Sequence, residues 1–155
     1  MVVGVVASIL PDLDVLAFRF YIAYADVLGH RGASHSLVFA LCLALVVFAL
    51  AKYLKAIPTT AFWFTAVCAA SHGVLDMFTN GGLGAALWWP FSEARVFAPW
   101  QVIEVSPLSL RRVFSAKGWA VLQSELFWIW LPALLLGGTL WLQRRWRTAG
   151  PRSAL

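Results

Sequence analysis

The sequence predicts an all-α, multi-span transmembrane protein with a polar and aromatic cap at one membrane face. Three observations carry that reading. Hydrophobic residues make up 61% of the 155 residues and charged residues 12%, about half the charged share of a soluble domain. Long uncharged stretches recur along the chain, bounded by basic or helix-breaking residues. Nine tryptophans fit the belts that amphipathic rings form at membrane–water boundaries. The length suits one domain, so residues 1–155 read as a single integral membrane unit.

Residues 1–10 are apolar but too short to span a bilayer, which takes about 20 helical residues. They lack the basic flank and cleavage site of a signal peptide. The segment either packs as a short helix on the others or is the end of a helix begun upstream. Pro11 stops it, having no N–H to continue the ladder. Asp12 and Asp14 therefore follow a helix end. Residues 15–28, with Phe18, Arg19, Phe20, Tyr21 and Asp26, read as an interfacial helix. Residues 29–33 form a loop by their glycines, and Ser34 is expected to cap the next helix.

A first span is expected over about 34–54, closed by Lys52 and Lys55. A second starts at Pro58 and runs over about 58–78. The short connection makes the pair an antiparallel hairpin. Residues 79–86 are a glycine-rich loop, and Trp88-Trp89-Pro90-Phe91 reads as a boundary segment. Residues 92–123 carry Glu93, Arg95, Glu104, Arg111, Arg112 and Lys117 and are expected to cap the site face. The third span, about 124–143, has a bend expected at Pro132. Its Gly137-Gly138 pair suits close helix packing. Cys42 and Cys68 lie in apolar runs and read as packing residues, not a disulfide.

The net charge of +5 does not point to nucleic acid, because the basic residues flank apolar runs, as membrane anchors do. Basic residues are shared equally between the two ends of the hairpin. The cluster Arg144, Arg145, Arg147 and Arg152 directly after the last span favours a cytoplasmic C-terminus, and so an external site.

The chemistry is concentrated. All three histidines and three of the four aspartates fall in Leu10-Pro11-Asp12-Leu13-Asp14, His30-Arg31-Gly32-Ala33-Ser34-His35-Ser36 and Ser71-His72-Gly73-Val74-Leu75-Asp76. Ionisable groups at the end of a membrane-grade helix are costly and suggest a functional site. His72 and Asp76, four apart on a helix, point the same way. With the hairpin tip near Lys55, His35 and Asp76 lie on arms of nearly equal length, so folding should bring them to one depth. Mixed His and carboxylate sets suit zinc or a similar divalent ion. Asp12, Asp14, His30, His35, His72 and Asp76 are the expected ligands, enough for one or two ions. Asp14, His72 and Arg31 are the expected catalytic residues, with Arg31 as clamp on an anionic group. Each group also has a plainer reading. His72/Asp76 can be an interhelical hydrogen bond, Asp12 and Asp14 helix caps, His35 an interfacial residue, and Arg31 a lipid-phosphate contact. Ser34 and Ser36 read as caps rather than nucleophiles.

Four blocks in order, Ile9 to Asp14, Gly29 to Ser36, Ser71 to Thr79 and Leu87-Trp88-Trp89-Pro90-Phe91-Ser92, resemble the YdjM-like family of predicted membrane-bound metal-dependent hydrolases. The resemblance covers a little over half the chain. It implies metal ligands at the same six residues and hydrolytic activity. The His-x-x-x-Asp block is faintly similar to zinc-dependent phospholipases C, which implies phosphoester chemistry on a lipid or lipid-linked substrate. Family members usually carry an upstream apolar segment with a further histidine, so the chain is expected either to begin upstream or to lack one ligand. Two other readings fit the same residues: a small oligomeric transporter using intramembrane Asp and His, and a non-catalytic protein whose metal only pins its helices. The sequence does not fix an oligomeric state.

Overall fold

The computed structural model describes residues 2–107 and 113–149. These form two units, Met1–Gln101 and Val102–Leu155. The described residues are helical, with no strand beyond isolated bridges such as Ala85 with Val96.

In the first unit, α1 is Val2–Ile9. Pro11 cannot continue its ladder, and the chain tightens into a 3₁₀ segment, Leu10–Phe20, in place of the interfacial helix expected over 15–28. Tyr21 ends it in the left-handed region at φ 59°, its N–H donating to the carbonyls of Ala17 and Phe18. A short 3₁₀ turn, Ala33–His35, leads into α2, Leu37–Leu50. Ser36, not Ser34, caps α2, its Oγ accepting from the Phe39 N–H at 3.0 Å. Lys55 turns the chain at φ 52°. Then α3, Pro58–Asp76, starts on a proline, where the missing N–H removes no intrahelical bond.

The hairpin of α2 and α3 forms as expected, and α1 packs on α3. Their meeting point is Ala7, Ala40 and Ala69. Small residues let the helix backbones approach closely. The large side chains point outward instead: Leu41, Leu45, Val46 and Phe48 on α2, and Trp63, Phe64 and Val67 on α3, are exposed. Both cysteines are free thiols.

The second unit is dominated by one continuous helix, Ala116–Thr148, made of α4, Ala116–Glu125, a wider π turn, Leu126–Trp130, and α5, Leu131–Ala149. Pro132 has no N–H for the carbonyl four residues back and its ring crowds that carbonyl. The π turn directly before it gives the ladder the slack it needs. Before this helix, the Glu104 N–H donates to Ser124 Oγ at 3.0 Å, and Glu104 pairs with Lys117.

Further expectations change. The first span, expected over 34–54, is the 14-residue α2, about 21 Å long against a hydrocarbon core of about 30 Å. The third, expected over 124–143, is a 33-residue helix that starts at Ala116 and absorbs Lys117, Gln123 and Glu125. Among the described residues it is the one helix both long and apolar enough to cross a membrane. Among the described residues, nothing lies within 4 Å of a Cβ built on Gly137 or Gly138. Arg111, Arg112 and Arg152, counted in the charge balance, lie outside the described residues.

A candidate metal centre

Gly73 sets how the site is assembled. A Cβ there would lie 2.3 Å from the His35 carbonyl oxygen and 3.1 Å from Leu87 Cδ2. Only glycine lets α3 press against the turn that carries His35. The flanking residue His72 is thereby laid beside His35, their ring centroids 4.9 Å apart. On the other side, the Leu37 N–H donates to the Leu87 carbonyl at 3.0 Å, so the loop after α3 is tied to the start of α2.

Four donor atoms then converge. His35 Nε2 lies 3.1 Å from Asp76 Oδ2 and 3.6 Å from Asp12 Oδ1. His72 Nε2 lies 3.2 Å from Asp12 Oδ1 and 3.8 Å from Asp76 Oδ2. A tetrahedron with metal–ligand bonds of 2.0–2.1 Å has edges of roughly 3.3–3.4 Å, and these four separations bracket that value. The set is graded in exposure: the His35 side chain is fully buried, those of Asp76 and His72 are partly buried, and that of Asp12 is half exposed at 50%. The cluster therefore opens on the Asp12 side.

Two of these atoms are conspicuous. His35 Nε2 and Asp76 Oδ2 are buried and have no hydrogen-bond partner. Buried polar atoms are rarely left so. A lone pair on each, aimed into one space, is the condition a cation satisfies.

A second ring of contacts orients the first. Asp14 accepts from the Arg31 N–H at 3.1 Å and the Ser34 hydroxyl at 2.6 Å, and its Oδ2 lies 3.2 Å from His35 Nδ1. The tautomer that donates Nδ1–H to Asp14 leaves the Nε2 lone pair free, the carboxylate–histidine arrangement common behind metal ligands. His30 Nδ1 meets Asp14 Oδ1 at 2.6 Å. That is a hydrogen-bond distance, well short of the tetrahedral edge. Asp14, His30 and His35 form a second group of metal-capable residues.

Electrostatics agree with the geometry. Burial alone would push the His35 imidazolium to release its proton. The carboxylates of Asp12, Asp14 and Asp76 around its ring outweigh it and raise the pKa to about 10. Burial would likewise raise the Asp12 and Asp14 carboxyls, yet the neighbouring imidazoles of His35 and His72 beside Asp12, and of His30 and His35 with the Ser34 hydroxyl beside Asp14, hold both well below the usual carboxylate range. The pocket is thus rich in negative charge, and without a metal it recruits a proton.

Arg31 is buried, and its Nη atoms are spent on Thr79 Oγ1, the Gly81 carbonyl and Asp76 Oδ1. Within the protein its side chain supports Asp76. Sequence reasoning also missed Ser34, Thr79 and Arg95 as site supports. Arg95 donates to the carbonyls of His30, Tyr24 and Asp26 at 2.6, 3.0 and 2.8 Å, which fastens the loop bearing His30 and Arg31. Arg95 belongs to the expected 92–123 cap, and Val96 and Ala98 of the same stretch bond to Ala85 and Met77 in the loop after α3. The faint signal for Arg95 was an arginine alone among Ala94, Val96 and Phe97.

The sequence model of the family described as YdjM inner membrane protein matches residues 1–147. The chain belongs to this YdjM family. It is also 47% identical over 143 residues to the inner membrane protein YbcI of Escherichia coli (strain K12), covering 92% of this chain and 83% of that protein. No solved structure matches. The YdjM chain is accordingly a membrane protein, and its helix Ala116–Thr148 is long and apolar enough to cross a membrane.

Proposed function

We propose that this protein is a multi-span membrane-bound hydrolase with one divalent ion, most simply zinc, acting on a phosphoester or related bond of a lipid or lipid-linked substrate. The observation that carries the reading is the convergence of Asp12 Oδ1, His35 Nε2, His72 Nε2 and Asp76 Oδ2 at tetrahedral-edge separations. Charge supports a single ion. Asp12, Asp14 and Asp76 bring three negative charges and Arg31 one positive, which leaves the charge that one divalent cation offsets in a low-dielectric site.

A divalent ion bound there supplies Lewis acidity and an acidified water near neutral pH. The chain's own residues do the rest. His35, locked by Asp14, and Asp76, held by Arg31, form the rigid rear of the site. His72 and half-exposed Asp12 face the open side, where substrate approaches. The segment carrying Asp12 also exposes Leu13, Leu16, Phe20 and Tyr21, an apolar surface suited to lipid chains beside the polar centre. α2 and α3 lie in the membrane in this reading, and the site is read as external because Arg144, Arg145 and Arg147 sit in the last turns of the final helix, where basic residues favour the cytoplasmic side.

The test is hydrolysis. Purified protein, loaded with zinc in phospholipid vesicles, should release water-soluble phosphorylated headgroups, and a His72→Ala/Asp76→Ala variant should not. Equal release by both proteins would end the proposal. A second reading, a metal that pins helices without turnover, is favoured by the count of four protein donors, the number found in closed structural zinc sites. Stoichiometric metal with no hydrolysis of any phospholipid or lipid-linked phosphate tested would favour it.

A further inference from the structure

Arg31 is an oddity. It is 4% exposed and sits in the left-handed backbone region at φ 64°, a conformation costly for a long side chain. Its contacts show what the unusual backbone accomplishes. The Arg31 N–H points at Asp14 Oδ2 at 3.1 Å, while its carbonyl accepts from the Ala86 N–H at 3.0 Å. Its side chain runs the other way, with Nη2 donating to Asp76 Oδ1 at 3.1 Å and Nη1 to Thr79 Oγ1 at 2.7 Å and the Gly81 carbonyl at 2.9 Å. Thr79 closes the loop, its hydroxyl donating to the Asp76 backbone carbonyl at 2.8 Å.

We infer that Arg31 is a positioning residue for the metal centre, and that it fixes Asp76 as a ligand through one oxygen only. The inference rests on the proposed metal site. Asp76 is gripped at both ends, its carbonyl by Thr79 and its Oδ1 by Arg31. The carboxylate can then offer the ion Oδ2 alone, the buried atom that has no hydrogen-bond partner. The same residue's N–H helps orient Asp14, which in turn faces His35 Nδ1. One residue thus orients supports of both rear ligands. The planar guanidinium suits this, since it spreads fixed donors over three acceptors, whereas a lysine ammonium is a point charge on a flexible stem.

The experiment uses full-length protein with Co²⁺ as a spectroscopic probe in place of zinc. Visible absorption reports coordination number, and competition with a chelator reports affinity. Arg31→Lys keeps the charge; Thr79→Val leaves Arg31 in place but removes one anchor. Arg31→Lys should bind Co²⁺ about 10–100-fold more weakly, the usual effect of losing an outer-shell partner. Its absorption should also weaken as Asp76 rotates to two-oxygen binding and coordination number rises. Thr79→Val should shift the same two readouts in the same direction, less far, and decides the matter if Arg31→Lys does not fold. Wild-type affinity and spectrum in the folded variants would overturn the positioning role while leaving the metal site standing. Failure of the wild type to bind Co²⁺ would remove both.

Discussion

Gly73→Ala should disable the metal centre without touching any ligand. The new Cβ would lie 2.3 Å from the His35 carbonyl oxygen, and 3.4 Å is the near limit of ordinary contact. Helix and turn must therefore part by about 1 Å, because the obstacle is backbone and cannot swing aside. Alanine's better helix propensity returns roughly 0.5–1 kcal/mol. Forced overpacking costs typically 1–3 kcal/mol, so the steric loss wins. The functional loss is larger, since His72 and Asp76 ride on the helix that moves. Metal–ligand distances tolerate about 0.2 Å, so a displacement of about 1 Å should weaken zinc binding by about 100-fold or more. Chelator competition and thermal unfolding of the purified protein measure the two effects. Gly137→Ala is the control, because nothing lies within 4 Å of the added Cβ, and it should leave both readouts unchanged. Wild-type zinc affinity in Gly73→Ala would refute the claim that this contact registers the site.

Other outcomes follow from the same network. Asp14→Asn keeps the shape but can present an amide N–H to His35 Nδ1, which selects the wrong tautomer; zinc affinity should fall about 10–100-fold, read by the same competition. In metal-free protein, the raised His35 pKa contributes stability that is complete below about 6.5 and is lost as pH rises through about 10. The lowered Asp12 and Asp14 pKa values contribute stability present above the ordinary 3.8 and lost as pH falls below it. Melting temperature in chelator should therefore be highest between about pH 4 and 6.5, and a maximum at pH 9 would contradict the assignment. Zinc must displace the His35 proton, so its apparent affinity should rise with pH across the neutral range and calorimetry should detect proton release. Arg95→Ala removes donors to three carbonyls and should cost about 2–3 kcal/mol of stability, seen as an earlier denaturant midpoint.

Much of the site could be read from the sequence, for physical reasons. The hairpin argument needs only two helical arms of matched length around Lys55, and His35 and Asp76 do meet, at 3.1 Å. Residue types at helical spacing announced His72 with Asp76. The supports were hidden because they depend on loop backbone. Left-handed turns at Tyr21 and Arg31 leave no periodic trace. Partnerships such as Arg31 with Thr79 and Arg95 with Tyr24, 48 and 71 residues apart, have no local signature. Ser34 was assigned to a cap because a serine before an apolar run looks alike whether its hydroxyl turns to its own helix or to Asp14. Helix limits were misjudged where polarity and helicity diverge: Lys117, Gln123 and Glu125 dilute the apolar signal, yet they are good helix formers and the ladder runs through them.

The central claim is that two imidazoles and two carboxylates share one ion. X-ray absorption at the zinc edge, with metal content measured on the same full-length protein, tests it most directly. The account predicts one zinc per chain with a first shell of nitrogen and oxygen, including two histidine rings, that disappears in His35→Ala/His72→Ala. Sulfur in that shell, or zinc that persists unchanged in the double variant, would contradict it.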